Sequence, residues 1–279
     1  MNNLIGELHC HSVYSDGATD VDDIVRFAKT AGLSHLALSD HDTVKGIEDI
    51  KQYAIPVGLN IIPALEITCH DYKRNNNVHM LCYYPKMCSQ LFALIDDTVL
   101  KRHTSKLNTI EALKKDYPIS LEHVQKIRGK SVAIHQPHVI KALADMGYTT
   151  TVDGEFINKI FGKNSKYYTP FAFPDVMDVV KIIKDMGSFA VVAHPGQFNS
   201  IDLIIELCEK GLLAGVECFH PRNNAETTKT CIQIAEKFNI IKTGGTDYHG
   251  YYSKNPNPIG KYTTDEVNLK KLLKIAGQL

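Results

Sequence analysis

The sequence predicts an α/β protein: a distorted, TIM-like (β/α)7 barrel carrying an inserted helical lid. Three observations predict it. Seven short apolar or β-branched runs recur along the chain, helical patterns separate most of them, and the strand pattern stops over a long middle stretch. Strand and helix in alternation imply a mainly parallel sheet. Polar residues at or just past the ends of the runs suit a closed or nearly closed barrel better than an open sheet.

The seven runs cover residues 4–9, 35–39, 60–66, 78–83, 189–193, 213–218 and 241–244. After the first, Thr19-Asp20-Val21-Asp22 resembles a capping box. Apolar Val21, Ile24, Val25, Phe27 and Ala28 then keep helical spacing until Gly32. A second helix follows Thr43. Residues 75–77 read as a polar turn between the third and fourth runs. From Pro85 to about Pro170 the pattern becomes helical, over 91–115, 121–127, 137–146 and 154–161. The chain thus divides into a barrel (1–84 and 171–279) and an inserted lid (85–170). Because the insertion leaves after the fourth strand and returns before the fifth, it is expected on the side where strand ends carry chemistry, overhanging the site. Residues 253–258 read as a loop.

Composition narrows the function classes. Lys plus Arg, 31, equals Asp plus Glu, 31, so the overall field does not draw in a polyanion such as duplex DNA. Any anion must be caught locally. The start, MNNLIGELHCHS, lacks a basic segment followed by an apolar stretch, and no run approaches the roughly 18 apolar residues of a membrane span. A cytoplasmic protein without membrane contact is expected. Seven cysteines without a C-x-x-C pair argue against a disulfide framework or a zinc ribbon. Cys10, Cys82, Cys208 and Cys218 are expected to pack as reduced thiols.

The chemistry lies in where histidines and carboxylates fall. His9 and His11 are one residue apart, so on an extended backbone both imidazoles project to the same face and can grip one ion. Asp247 and His249 repeat that spacing after the last strand. His41 follows the second strand, Glu66 closes the third, His79 lies in the fourth, and His194 follows the fifth. In a parallel barrel these ends converge on one rim. A lone strand histidine is more often a hydrogen-bonded core residue than a ligand. Burying this whole set without a cation would cost several kcal/mol for each unsatisfied or charged group, which favours metal binding.

His9-x-His11, Ser15-Asp16-Gly17, Leu38-Ser39-Asp40-His41-Asp42-Thr43, Glu66, His79, Ala193-His194-Pro195-Gly196 and Gly244-Gly245-Thr246-Asp247-Tyr248-His249-Gly250 resemble, in order, the motifs of the polymerase and histidinol phosphatase (PHP) family of metal-dependent phosphoesterases. In the lid, Pro137-His138-Val139-Ile140-Lys141-Ala142-Leu143, Gly147-Tyr148, Phe156, Phe161-Gly162 and Tyr168 resemble the branch with small-molecule phosphatases, nucleotide-type phosphoesterases and an RNA 3′-end exonuclease. The resemblance implies two or three divalent ions, manganese, iron or zinc. One would be held by His9, His11, Glu66 and Asp247, a second by Glu66, His79 and His194 with Glu66 bridging, and a third by Asp16, His41 and His249.

Such a centre lowers the pKa of a shared water towards neutrality, to about 7 for zinc, so a metal-bridging hydroxide serves as nucleophile without a serine or cysteine. Asp247 and His249 are the candidates for protonating the leaving alcohol. Arg222, after the sixth strand, suits bidentate phosphate binding. His138 and Lys166 in the lid are further substrate-contact candidates. The expected substrate is a small phosphorylated molecule, with nucleotides leading and a short single-stranded RNA end in the same class.

Gln136 stands where relatives often carry a lid arginine, and Asn223 where histidine is common. The lost cation argues against carrying over a nucleotide 3′,5′-bisphosphate or RNA substrate. Histidinol phosphate hydrolysis is an alternative within the family. An amidohydrolase-type deaminase or amidase also begins with His-x-His, but commonly needs a lysine at the end of strand four, where this chain has His79, with Lys86 beyond. A non-catalytic module would be expected to have lost some of the nine candidate ligands.

Overall fold

The computed structural model describes residues 4–152, 154–253 and 257–279, so residues 254–256 of the expected loop lie outside the described residues. Seven strands form one sheet in chain order: β1 (Gly6–Cys10), β2 (His35–Leu38), β3 (Asn60–Asp71), β4 (Asn76–Tyr83), β5 (Phe189–Val192), β6 (Gly215–Phe219) and β7 (Ile241–Gly244). The helices are α1 (Val21–Thr30), α2 (Gly46–Ala54), α3 (Ser89–Leu113), α4 (Leu121–Arg128), α5 (Gln136–Asp145), α6 (Glu155–Phe161), α7 (Val176–Asp185), α8 (Pro195–Phe198), α9 (Ile201–Glu209), α10 (Ala225–Phe238) and α11 (Glu266–Ile275). Helix α1 starts where the sequence places it, with the Asp20 carboxylate accepting the Val21 N–H.

The sheet curls into a nearly closed barrel. Among the described residues no ladder joins β1 to β7. Instead the segment after β7 fills the seam: the Asp247 N–H donates to His9 O at 2.9 Å and the His11 N–H to Tyr248 O at 2.9 Å. Gly245 lets this segment approach, since a Cβ there would lie 2.2 Å from His9 Cβ. The seam therefore brings Asp247 to the first strand's histidines.

The expectation of a mainly parallel barrel holds for four strand pairs and fails for two. β3–β4 and β4–β5 are antiparallel. The connection of residues 72–75 between β3 and β4 is a hairpin turn, far shorter than the dozen or more residues a parallel crossover requires. β3 is also longer than expected, so Glu66 sits inside it rather than closing it.

Reversal of β4 corrects the path of the insertion. Tyr83, near the end of β4, pairs with Ala64 and with Phe189 at the start of β5, so the chain departs from the end of the barrel opposite the strand ends that carry His41 and His194. The 25-residue α3, about 37 Å long at 1.5 Å per residue, carries it back. Leu91 and Ile95, early in α3, pack with β3, β4 and α7, while Ile110 and Leu113 near its end join a separate core with Val124, Val139, Leu143 and Ile160. Halfway along, the Arg102 guanidinium bonds the Asp42 carboxylate and, at 2.8 Å, the Thr68 hydroxyl.

Inside the barrel, Leu8, Ala37, Ile62, Leu81, Tyr83 and Val191 pack with Leu269, Leu272 and Leu273 of α11. Cys10 faces α1 in an outer cluster, and all seven cysteines are free. No helix of the described residues is long and apolar enough to cross a membrane.

Candidate metal centre

Glu66 is the hub. Its Oε2 lies 3.3 Å from His9 Nε2, 3.2 Å from His11 Nε2 and 3.2 Å from His41 Nδ1. Its Oε1 lies 3.0 Å from His79 Nδ1 and 2.9 Å from His194 Nε2. β3 puts this carboxylate mid-sheet, and the reversed β4 swings His79 to the same face. Asp247 Oδ1 sits 3.4 Å from His9 Nε2, 3.2 Å from His11 Nε2 and 3.5 Å from His249 Nδ1. Asp16 Oδ1 is 3.3 Å from His249 Nε2, and its Oδ2 is 3.8 Å from His41 Nε2. All nine side chains singled out in the sequence as ligands thus form one connected cluster.

The local chain is bent to achieve this. Asp42, His194 and Asp247 occupy positive φ (53°, 29° and 53°), a strained region for residues with a Cβ. Asp40 ties down the loop bearing His11 and Asp16, accepting the Ser12 N–H at 2.8 Å and the Ser15 hydroxyl at 2.6 Å.

Ligand-capable atoms fall into groups. His9, His11, Glu66 and Asp247 form one, and His11, Asp16, His41 and His249 another. Two smaller groups are His9, Glu217 and His220, and His41, Glu66 and His79, the last with His41 where the family resemblance implied His194. His9 Nε2, His11 Nε2, His41 Nδ1 and Glu66 Oε2 are buried without a hydrogen-bond partner. Orphaned donor atoms aimed at one another, of mixed imidazole and carboxylate type, fit hard-to-borderline divalent ions.

Electrostatics agree. Burial opposes every charge here, yet the surrounding carboxylates hold His9 well above its usual range and His11 up to about 10. Burial also opposes ionisation of Glu66, Asp16 and Asp247, but the imidazoles hold all three well below the usual carboxylate range. Burial pushes His41 well down, leaving it neutral as a ligand must be.

A cavity of about 350 Å³ opens above the cluster. Asp16, His41, Glu66, His79, His194, Asp247 and His249 line it, with Arg222 at its edge and free of ion pairs among the described residues. Two sequence candidates are corrected. His138 is not on the cavity wall: it is buried in the cap of α5, accepting the His135 N–H at 3.0 Å, and His135 lines the cavity instead. Lys166 is exposed and pairs with Asp116 at 3.0 Å, away from the cavity lining. Asn223 pins the loop after β5, its Oδ1 accepting the Gly196 N–H at 2.9 Å.

Sequence reasoning missed Glu217, His220, Arg102 and Lys106. Glu217 Oε1 is 3.0 Å from His9 Nδ1, and His220 Nε2 is 3.5 Å from Asp247 Oδ2. A carboxylate in the apolar run Gly-Val-Glu-Cys-Phe was the available signal for Glu217. Arg102 and Lys106, on a long helix with many polar residues, gave none.

Residues 7–167 match the PHP domain. The chain is 28% identical over 256 residues to phosphoribosyl 1,2-cyclic phosphate 1,2-diphosphodiesterase of Eggerthella lenta, covering 91% of this chain and 97% of that protein. It is 25% identical over 252 residues to a 5′-3′ exoribonuclease of Haemophilus influenzae, covering 87% and 89%. That relative's name gives the opposite polarity to the 3′-end exonuclease expected in the branch. A Bifidobacterium adolescentis structure provisionally described as a metal-dependent phosphoesterase superposes with TM-score 0.88 at 28% identity, covering 97% of this chain and 96% of that one. The match spans more than half the chain and the fold agrees along nearly all of it: the chain belongs to the PHP family of metal-dependent phosphoesterases.

Proposed function

We propose that this chain hydrolyses a phosphate ester of a small phosphorylated metabolite, with nucleotides the leading class. The observation that carries the reading is the Glu66 hub: of its five imidazole neighbours, His9, His11, His41 and His194 keep unpartnered buried atoms, beneath a cavity that Arg222 also lines. Relatives named for a cyclic phosphodiester and for RNA support the class.

In this reading His9, His11, Glu66 and Asp247 would hold one ion, Glu66 with His79 and His194 a second, and Asp16, His41 and His249 a third. Manganese, iron or zinc, when bound, supply Lewis acidity and a nucleophilic water near neutral pH. Glu217 orients His9, and Asp40 holds the loop bearing His11 and Asp16. Arg222 grips non-bridging phosphate oxygens. Of the two candidates on the cavity wall, Asp247 is held ionised by the surrounding imidazoles, so His249 is the group assigned to hand a proton to the leaving oxygen. The segment 85–170 acts as a lid that excludes water. Water adds to phosphorus, the ester oxygen leaves as an alcohol, and phosphate remains.

Amide hydrolysis or deamination gains no support. Lys86 lies beside Gly187 and Ser188 at the far end of the barrel, away from the histidines. The test is phosphate release from nucleoside mono- and bisphosphates, cyclic nucleotides, short RNA and histidinol phosphate. Release from a small ester supports the reading; silence of metal-loaded protein on the whole panel refutes it.

A further inference from the structure

His220, directly after β6, is buried and offers a ligand-capable atom to the group it forms with His9 and Glu217. Its ring centroid lies 5.1 Å from that of His194 and 5.8 Å from that of His9. Yet the hydrogen bonds around it do not describe an ion site. The Arg222 N–H donates to His220 Nδ1 at 3.0 Å. A ring nitrogen that accepts a backbone N–H carries no proton, which excludes the imidazolium and leaves the ring's single proton on Nε2. A protonated nitrogen has no lone pair to give a cation. Glu217 is committed as well, one oxygen to His9 Nδ1 and the other to the His194 N–H.

What Nε2 faces is Asp247. It is buried without a hydrogen-bond partner, and Asp247 Oδ2 stands 3.5 Å away. The other oxygen, Oδ1, lies 3.4 Å from His9 Nε2, 3.2 Å from His11 Nε2 and 3.5 Å from His249 Nδ1. One carboxylate thus divides its two oxygens between two sets of partners. We propose that His220 is a positioning residue: its Nε2–H takes Oδ2 of Asp247 and so reserves Oδ1 for the ion. The proposal rests on reading Asp247 as a metal ligand. A separation of 3.5 Å is long for a hydrogen bond, and contacts around a reacting centre commonly tighten when the centre is complete. A neutral donor suits the task, because it turns the carboxylate without competing for it as a fixed positive charge would. The Arg222 N–H is what sets the tautomer, so the loop that follows β6 supplies both the donor and the group that aims it.

Two substitutions separate the ring's nitrogens. His220→Asn keeps an acceptor near the Nδ1 position and leaves nothing at Nε2, whereas His220→Gln reaches the Nε2 position with an N–H. Zinc affinity, measured by competition against a metal-binding dye, should fall about 10- to 100-fold in His220→Asn and stay close to wild type in His220→Gln, with circular dichroism unchanged in both. Equal losses in the two variants, or no loss in His220→Asn, would overturn the proposal. A second arm needs no variant. Nitrogen NMR of the imidazole in zinc-loaded wild type should show Nε2 protonated and Nδ1 bare. A bare Nε2 would make His220 a ligand and overturn the positioning role. Silence on every phosphate ester with the difference between the two variants intact would refute the phosphoesterase reading and leave the positioning role supported. Wild type that binds no divalent ion would refute Asp247 as a ligand, and the proposal with it.

Discussion

Glu217 serves two histidines of the Glu66 cluster at once: its Oε1 lies 3.0 Å from His9 Nδ1, and its Oε2 accepts the His194 backbone N–H at 2.7 Å. It fixes the His9 tautomer so that Nε2 faces Glu66 and Asp247, and it holds the chain that presents His194. Such partners usually matter nearly as much as the ligands they orient.

Glu217→Gln keeps the shape but offers one acceptor oxygen where two are needed. Metal affinity should fall about 10- to 100-fold while the far-ultraviolet circular dichroism is unchanged. Competition against a metal-binding dye measures it.

Metal binding should release protons. In the metal-free site the neighbouring carboxylates overcome burial to hold His9 and His11 protonated at neutral pH, His11 up to about 10. A ligand must be neutral, so each bound ion displaces protons and affinity rises with pH, about tenfold per unit for each proton released. Calorimetric titration in two buffers of different ionisation enthalpy reads the number directly. Stripping metal should also lower Tm, and re-adding it at about 1,000 times Kd should restore about 4 kcal/mol.

Arg102 and Lys106 share a helix but should behave oppositely. Arg102→Met leaves Asp42 buried and unpaired, at a cost of about 3–5 kcal/mol, and Asp42→Asn in the same chain should recover much of it. Urea unfolding of the two single variants and the double variant measures the coupling.

Lys106→Met should stabilise the fold. Burial, then the Arg102 charge, lowers the lysine to about 7 from an ordinary value of 10.5. Among the described residues Asp16, Glu66 and Asp247 line the same cavity without pairing to it. A depressed pKa means stability present above 10.5 and lost as pH falls through 7, so wild type bears its full penalty at pH 6. The variant should exceed wild type there by on the order of 3 kcal/mol and by much less at pH 9.5. A destabilised variant would show that the ammonium is satisfied in the fold.

Much of the site was legible because strand geometry is simple. A spacing of two sets His9 and His11 on one face, and strand ends sharing a rim gather His41, His194, Asp247 and His249. The reversal of β4 was less so, though only residues 67–77 separate the third run from the fourth, with no helical pattern among them, short of the dozen or more residues a parallel crossover needs. His138 was misplaced because its ring serves the cap of its own helix, a local bond that spacing does not reveal. Arg102 and Lys106 were invisible because α3 is oriented by the path of the whole insertion, and a polar helix position looks alike whether it meets water or a cavity.

The most direct measurement is a metal titration of stripped protein, following phosphate release at each addition for wild type and Asp247→Asn. The account predicts no release without metal, activity rising to a plateau at two or three equivalents of manganese or zinc, and loss of about 100-fold or more in the variant. Full activity in excess chelator, or equal activity in the variant, would contradict it.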